Sequence, residues 1–274
     1  QFLSPALSEG EGGNDLSRVF GLISSSSEGL GEAYFLAWTT TPWTLPSNTA
    51  LTVGPKIEYV LVETYNQYTF EPIKVVLAKN LVSKIFDGKF KAVDTDNEIK
   101  EYDKSQKHIP FRILADCLGK DLVGIKYEQL MPFAQPNDKS ENAFRVIAGD
   151  FVTTEDGTGI VHTAPTFGAD DALVAKQATP EIPPMLVKDE NGNLVPLVDL
   201  QGKFRPEVQD EVYGFANEHV KAEYLNDAER DVEYKKQKDR LSSVISDLKA
   251  YMSVDERLAL KLKNENKAFK VEKY

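Results

Sequence analysis

Two segments of the 274-residue sequence carry side chains that suit the binding of an ester or a sugar. The first, residues 39–48, reads Thr-Thr-Thr-Pro-Trp-Thr-Leu-Pro-Ser-Asn. Each threonine hydroxyl can both donate and accept a hydrogen bond, and the two prolines restrict the backbone of the loop. Such a loop presents a row of hydroxyls to a ligand that carries hydroxyls and carbonyls. The alternative is a threonine-rich strand that simply ends in a proline-containing turn.

The second segment, residues 157–171, begins Gly-Thr-Gly-Ile-Val-His-Thr-Ala-Pro. Gly157 and Gly159 allow a ligand to approach the backbone closely. The β-rich run that follows ends at His162, so we expect an imidazole at the end of a strand. A histidine there either borders a ligand or is a hydrogen-bonded structural residue.

The same segment ends in two aspartates, Asp170 and Asp171, which open a helix predicted over residues 172–178. Acidic side chains are favourable at a helix N-terminus, so both could serve the helix alone. Only one side chain can occupy the cap position, and we expect the other to face a pocket. A free carboxylate beside a row of hydroxyls suits a ligand with an ammonium group.

Both segments lie in a region of short β-rich runs, whose number and uneven spacing predict a barrel or a bent, mixed sheet. The predicted strands are 34–38, 51–53, 59–62, 73–78, 121–125, 144–148, 151–153 and 160–162. Residues 80–86 are expected to form a short helix.

Composition divides the chain into a flexible acidic arm (residues 1–32), a core (residues 33–205) and a charged helical tail (residues 206–274). In the tail, apolar residues at 241, 244, 245, 248 and 252 predict one face of a helix. Ser253 and Glu256 have the spacing of a capping box, which predicts that a new helix begins there.

Composition also excludes several classes of protein. The 32 basic and 43 acidic residues give a net charge of −11, which argues against a generic nucleic-acid binder unless the chain is part of a larger protein. No apolar run is long enough to span a bilayer, no basic start followed by an apolar run predicts a signal peptide, and the single cysteine, Cys117, permits no internal disulfide. P-loop, GxGxxG and GxSxG motifs and metal-ligand spacings are absent. We therefore expect a cytoplasmic protein without a metal.

Together, the two segments resemble signatures of the editing domain of isoleucyl-tRNA synthetase, which interrupts the catalytic domain of that class I enzyme. Residues 39–48 are similar to its threonine-rich peptide, and residues 157–171 are similar to its second signature. Residues 119–127 and 264–274 are also similar to the family. Thr-Pro-Trp at positions 41–43 favours the isoleucyl member, because the valyl and leucyl enzymes carry Thr-Thr-Arg at this motif. Residues 1–32 and 226–252 match nothing expected of the family.

The resemblance implies a β-barrel core with peripheral α-helices and hydrolysis of the ester of valyl-tRNA(Ile), with valyl-adenylate as a second candidate substrate. In these enzymes, one missing methylene changes binding by only about 1–3 kcal/mol, so a second, smaller site must remove valine. The chain lacks the His-Ile-Gly-His and Lys-Met-Ser-Lys-Ser types of ATP-site signature, so it is not expected to activate amino acids. No organic cofactor is implied.

The resemblance also assigns roles to residues, with a bound water as the attacking nucleophile. Asp171 is expected to hold the substrate α-ammonium group, and His162 to border the valine side chain. The expected substrate-binding residues are Thr39, Thr40, Thr41, Trp43, Asn48, Gly157, Thr158, Gly159, His162 and Asp171. Those expected to act in catalysis are Thr39, Thr41, His162 and Asp171.

The implied partners are the 3′ end of tRNA(Ile) carrying valine and the remainder of the parent synthetase. We expect a monomer with no membrane contact and, in the absence of a methionine at position 1, a fragment of a longer protein. The competing hypothesis is a non-catalytic β-barrel module that only binds RNA. Such modules usually combine aromatic stacking residues with a basic groove. Here the aromatic residues lie beside the threonines and the net charge is negative.

Overall fold

The computed structural model describes residues 2–3, 16, 19–20 and 33–271, so most of the predicted arm lies outside the described residues. The strands are β1 Phe2–Leu3, β2 Ala33–Phe35, β3 Ala37–Trp38, β4 Ala50–Val53, β5 Glu58–Tyr65, β6 Pro72–Ala78, β7 Phe90–Ala92, β8 Ile109–Leu118, β9 Arg145–Ala148, β10 Ile160–Thr163, β11 Leu186–Lys188, β12 Leu194–Pro196 and β13 Ala268–Lys270. The α-helices are α1 Val82–Ile85, α2 Asp96–Lys100, α3 Gly119–Leu122, α4 Ala169–Gln177, α5 Asp227–Arg240 and α6 Val254–Asn264. A 3-10 helix, Pro42–Ser47, lies within the threonine-rich segment.

The strands form two open sheets and a hairpin. One sheet has the order β13-β1-β3-β10-β4-β9, the other has the order β2-β6-β5-β8-β7, and β11 pairs with β12. In the described part of the chain, the end strands of neither sheet pair with each other, so the predicted barrel is wrong. The alternation and length of apolar runs identify individual strands, but they do not determine which strand edges pair, and the closure of a barrel depends on that pairing.

The connection between β3 and β4 brings the two predicted site segments together. β3 and β10 run parallel, with Val161 opposite Trp38, and β4 runs antiparallel to β10, with Ala50 opposite Thr163. The chain that leaves β3 must therefore cross the carboxyl end of β10 before it enters β4. As a result, residues 39–48 lie beside His162 although they are distant from it in the sequence.

Two buried clusters stabilise this arrangement. The larger lies between the sheets and includes almost all of the apolar side chains of β5 and β6. The smaller joins Leu45 of the 3-10 helix to Leu258 and Leu262 of α6. Burying one such side chain is worth about 1.5–3 kcal/mol, so the smaller cluster holds the threonine-rich segment against the C-terminal helix.

Several local predictions differ from the structure. Residues 121–125 do not form a strand, because the chain turns through α3, and residues 151–153 lie outside any strand. The helix predicted over residues 241–252 is also wrong, since α5 ends at Arg240. The segment after α5 is bonded to α5 by a side chain. The Gln237 amide donates to Met252 O and accepts from Met252 N, both at 2.9 Å. The irregular backbone thus obtains its hydrogen bonds from a side chain of α5.

Other predictions are confirmed. β6 and β10 match the predicted strands 73–78 and 160–162 closely. The capping box at the start of α6 is present, with Glu256 N donating to Ser253 Oγ and Ser253 N donating to Glu256 Oε2. The proposed boundary between core and tail at residue 206 stays a prediction.

Candidate functional site

A cavity of about 540 Å³ lies beside β10 and extends from residues 156–159, before the strand, to Ala164, after it. This volume is within the usual range for small-molecule sites. Nine of the ten predicted substrate-binding residues line it: Thr39, Thr40, Thr41, Trp43, Gly157, Thr158, Gly159, His162 and Asp171. The tenth, Asn48, does not line the cavity but contacts His162 from behind. The fold therefore brings the predicted residues together, while their roles remain predictions.

His162 is held by two hydrogen bonds, one at each ring nitrogen. The Asn48 amide nitrogen lies 2.8 Å from Nδ1 and also donates to Ala50 O at 2.9 Å, which identifies it as a donor. Nδ1 must then accept, so the proton of the neutral ring is on Nε2. Nε2 donates to Thr44 Oγ1 at 3.0 Å, and the Thr44 hydroxyl donates onward to Thr41 O at 2.8 Å.

The electrostatics of His162 agree with this neutral form. Burial lowers the pKa of the imidazole from 6.5 to about 4, because the charged form loses its hydration. The side chain is thus neutral near pH 7, and both nitrogens are already bonded. A ring in this state has no free lone pair with which to take a proton from water, but it forms a fixed boundary of the cavity.

The threonine loop, which we define as residues 39–48, owes its shape to its own hydroxyls and to the 3-10 helix. Thr39 Oγ1 accepts from Thr41 N at 3.0 Å and lies 3.4 Å from Thr41 Oγ1. Thr39 is buried, whereas Thr40 and Thr41 are exposed. The loop thus presents hydroxyls to the cavity from a backbone that its side chains hold in place.

The glycine–histidine segment, which we define as residues 157–171, approaches β6 too closely at Gly159 for a larger residue. Gly157 and Gly159 have φ values of +72° and +75°. A Cβ atom on Gly159 would lie 2.4 Å from the Cβ of Ala78 in β6. The Gly159 carbonyl accepts from the Tyr59 hydroxyl at 2.6 Å, which fixes this turn against the larger core.

Asp171 lies in the first turn of α4, but it does not cap that helix. The N-cap residue is Gly168, which forms no side-chain bond, so the prediction that Asp170 or Asp171 occupies the cap is wrong. Asp171 is half-buried, and its Oδ2 accepts from Ala164 N at 2.8 Å. Asp170 is exposed and does not line the cavity.

Burial raises the pKa of the Asp171 carboxyl, although the hydrogen bond from Ala164 N opposes the shift. A partly desolvated carboxylate interacts more strongly with a cation than one in water. Because the Ala164 bond uses one oxygen and orients the group, Asp171 is suited to bind an ammonium group at the edge of the cavity.

The residues that the sequence analysis missed include three that hold the site in place, Thr44, Tyr127 and Asp255. Thr44 lies within the threonine loop and was detectable there. Tyr127 donates to Asn48 Oδ1 at 2.6 Å, and Asp255 Oδ1 accepts from Trp43 N at 2.8 Å. Both contacts join elements that are distant in the sequence, and no local pattern marks either residue.

Among the residues that the structure describes, no group of three or more His, Cys, Asp or Glu side chains is placed to bind a metal. In the same part of the chain, no helix combines the length and apolar character needed to cross a membrane.

Comparison with known proteins identifies the family. The chain is 58% identical over 242 residues to the isoleucine–tRNA ligase of Cytophaga hutchinsonii, a match that covers 88% of this chain and 20% of that protein. It is 49% identical over 246 residues to the isoleucine–tRNA ligase of Bacteroides fragilis, covering 89% of this chain and 20% of that protein. The chain belongs to the isoleucine–tRNA ligase family. It spans about a fifth of the length of these isoleucine–tRNA ligases. No protein-family model matches the chain.

Solved structures similar to this member of the isoleucine–tRNA ligase family include two editing domains of cytosolic leucyl-tRNA synthetases. The P. knowlesi domain has a TM-score of 0.47 and 12% identity, covering 66% of this chain and 62% of that one. The P. falciparum domain has a TM-score of 0.40 and 14% identity, covering 62% and 63%.

Proposed function

We propose that this chain is the editing domain of an isoleucine–tRNA ligase and that it hydrolyses the ester of valyl-tRNA(Ile). The observation that supports the proposal is the arrangement around one cavity of a held carboxylate, a neutral buried histidine and a row of hydroxyls. These groups match the ammonium, the side chain and the ribose ester of an aminoacyl-adenosine. Family membership independently indicates a chain that handles aminoacyl-tRNA.

In the proposed mechanism, Asp171 binds the α-ammonium group, and the hydroxyls of Thr39, Thr40 and Thr41 hold the terminal ribose and the ester. A water molecule attacks the ester carbonyl carbon. The bond from that carbon to the ribose oxygen breaks, the ribose oxygen receives a proton from the water, and valine and deacylated tRNA are released. An aminoacyl ester is already activated, so orientation and hydrogen bonds to the developing oxyanion supply the catalysis.

Selection against isoleucine is assigned to His162. The two hydrogen bonds to its ring prevent the ring from turning aside for a larger substrate. Forcing one additional methylene into a packed site typically costs about 1–3 kcal/mol. That penalty is sufficient to slow hydrolysis of the cognate ester by roughly one to two orders of magnitude. Valyl-adenylate is small enough to be a second substrate.

The proposed partners are the 3′ end of tRNA(Ile) and the remainder of the parent synthetase, with a monomeric chain in the cytoplasm. Phosphate neutralisation drives most of the affinity for tRNA, and this chain carries a net charge of −11. The larger part of the contact with tRNA is therefore assigned to the parent enzyme. The chain alone is expected to deacylate valyl-tRNA(Ile) more slowly than the full-length enzyme at physiological salt.

The variant Asp171→Ala tests the proposed ester hydrolysis, because it removes the carboxylate that is proposed to bind the α-ammonium group. Losing the ammonium–carboxylate pair is expected to cost about 2–5 kcal/mol of transition-state stabilisation, measured as kcat/KM for deacylation of valyl-tRNA(Ile). Asp170→Ala is the matched control, since Asp170 is exposed and lies outside the cavity. Equal losses in the two variants would contradict the role of Asp171. RNA binding without loss of the ester in the wild-type chain would favour the alternative of a non-catalytic module.

A further inference from the structure

The 3-10 helix of the threonine loop has no cap from its own sequence. The helix covers Pro42–Ser47, and the side chain of its N-cap residue, Thr41, forms no capping bond. Pro42 has no N–H, so the N–H of Trp43 is the first donor of this helix that needs an acceptor. That acceptor comes from the C-terminal part of the chain, because Trp43 N donates to Asp255 Oδ1 at 2.8 Å.

Asp255 is not needed to begin its own helix. α6 starts with a complete capping box formed by Ser253 and Glu256. The body of α6 packs against the 3-10 helix, with Leu258 and Leu45 in the same buried cluster. The position of Asp255 in the first turn of α6 therefore directs its carboxylate towards the threonine loop instead of towards its own backbone.

The position of this carboxylate is unfavourable for stability. Asp255 is half-buried and forms no ion pair with any described lysine, arginine or histidine. The pKa of its carboxyl is raised to about 6, chiefly by burial and with smaller contributions from Glu223 and Glu256, while the Trp43 N–H and Lys221 oppose the shift. A neutral side chain would suit this environment better. The contact with the Trp43 N–H explains why a hydrogen-bond acceptor is present at this position.

We propose that Asp255 is a positioning residue of the hydrolytic site, whose carboxylate fixes the Trp43 N–H and thereby the orientation of the threonine loop towards the cavity. The inference rests on the proposed function. Trp43 lines the cavity and contacts Phe167 edge to face, with the ring centroids 5.0 Å apart. The next residue, Thr44, accepts from His162. A shift of the Trp43 backbone would therefore displace both the aromatic wall and the partner of the histidine.

Three variants of the 274-residue chain separate positioning from helix stability. In Asp255→Ala the acceptor is lost, and kcat for valyl-tRNA(Ile) is expected to fall by roughly ten- to a hundredfold, because displacements of about 1 Å have effects of that size. The amide oxygen of Asp255→Asn can still accept the Trp43 N–H, so this variant should recover most of the activity. Glu256→Ala disrupts the cap of α6 without touching the loop and should retain wild-type kcat.

A readout that does not depend on activity is the fluorescence of Trp43, which can be isolated by Trp38→Phe because the chain has two tryptophans. Quenching by acrylamide should increase in Asp255→Ala and stay at the wild-type value in Asp255→Asn and Glu256→Ala. If Asp255→Ala does not fold, Asp255→Ser, whose side chain is one bond shorter than that of aspartate, replaces it.

Equal changes in kcat and quenching for Asp255→Ala and Glu256→Ala would overturn the proposal, as would an Asp255→Ala variant that matches the wild type in both. If the wild-type chain hydrolyses no ester, the proposed function fails. The quenching series then still decides whether Asp255 holds the loop.

Discussion

The two sides of the cavity are held in place by different kinds of contact. On one side, the glycine–histidine segment contains β10, which pairs along its length with β4 and also pairs with β3. On the other side, the threonine loop contains only a short 3-10 helix. Its polar attachments include four bonds that involve side chains. Asn48 donates to His162, and His162 donates to Thr44. Tyr127 donates to Asn48, and Trp43 N donates to Asp255.

This difference indicates how each side responds to substitution. A side built on a strand is stable towards the loss of one polar atom, but it tolerates no added atom where the backbones approach closely. A side held by individual hydrogen bonds is sensitive to the loss of one polar atom but tolerates an added atom better. The backbone of His162 is part of β10 on the first side, while its ring is bonded to Thr44 and Asn48 of the threonine loop on the second side. His162 therefore connects the two sides of the cavity.

The largest expected effect on stability is that of Gly159→Ala. Alanine at φ near +75° costs about 1–2 kcal/mol, and the contact of 2.4 Å with Ala78 adds roughly 1–3 kcal/mol. The free energy of unfolding in urea should fall by roughly 2–5 kcal/mol. Gly157→Ala is the matched control, because its φ is also positive but a Cβ there would lie 3.4 Å from the Trp38 ring. Equal destabilisation would show that close packing on β6 is unimportant.

The next effect concerns the pH dependence of stability. The pKa of His162 is about 4 in the folded chain and near 6.5 when unfolded. Between these values the unfolded chain binds a proton that the folded chain does not. The free energy of unfolding should therefore decrease as the pH falls from about 6.5 to 4, by on the order of 3 kcal/mol from this residue.

This contribution can be isolated by comparing the wild type with His162→Gln in urea titrations across that range. Asp171 and Asp255, whose raised pKa values favour folding as the pH falls, are present in both proteins and cancel in the difference. Parallel pH profiles for the two proteins would contradict a buried, neutral His162.

The smallest effect is expected for Tyr127→Phe, which removes the hydroxyl that donates to Asn48 Oδ1. Leaving this buried acceptor without a partner should lower the free energy of unfolding by about 1–3 kcal/mol. Because Asn48 supports the histidine ring, discrimination between valyl and isoleucyl esters should weaken slightly as well. A loss of stability with fully preserved discrimination would show that Asn48 positions the ring without help from Tyr127.

The sequence predicts those parts of the fold that local patterns determine. β6 is an apolar run, and the start of α6 is set by a capping box, so both are recognisable without tertiary information. The region after Arg240 is different, because its apolar spacing is helical while Gln237 supplies bonds that replace a helix. The barrel prediction failed for a similar reason, since closure depends on which edges pair.

In the candidate site, too, the sequence predicts the parts that local patterns determine. The threonine loop and the glycine–histidine segment are each contiguous, and their residue types indicate the chemistry directly. Tyr127 and Asp255 act on the loop from distant parts of the chain, through single hydrogen bonds that leave no pattern in the sequence.

The most direct test of the central claim, a size-selective hydrolytic site bounded by His162, is deacylation of valyl-tRNA(Ile) and isoleucyl-tRNA(Ile) by the wild-type chain and by His162→Ala. The wild type should hydrolyse the valyl ester and leave the isoleucyl ester intact. The variant should begin to hydrolyse the isoleucyl ester, with a moderate loss towards valine. A variant inactive towards valine and still inert towards isoleucine would instead make His162 a general base, whose loss removes a factor of about 10²–10⁴, and would contradict the account.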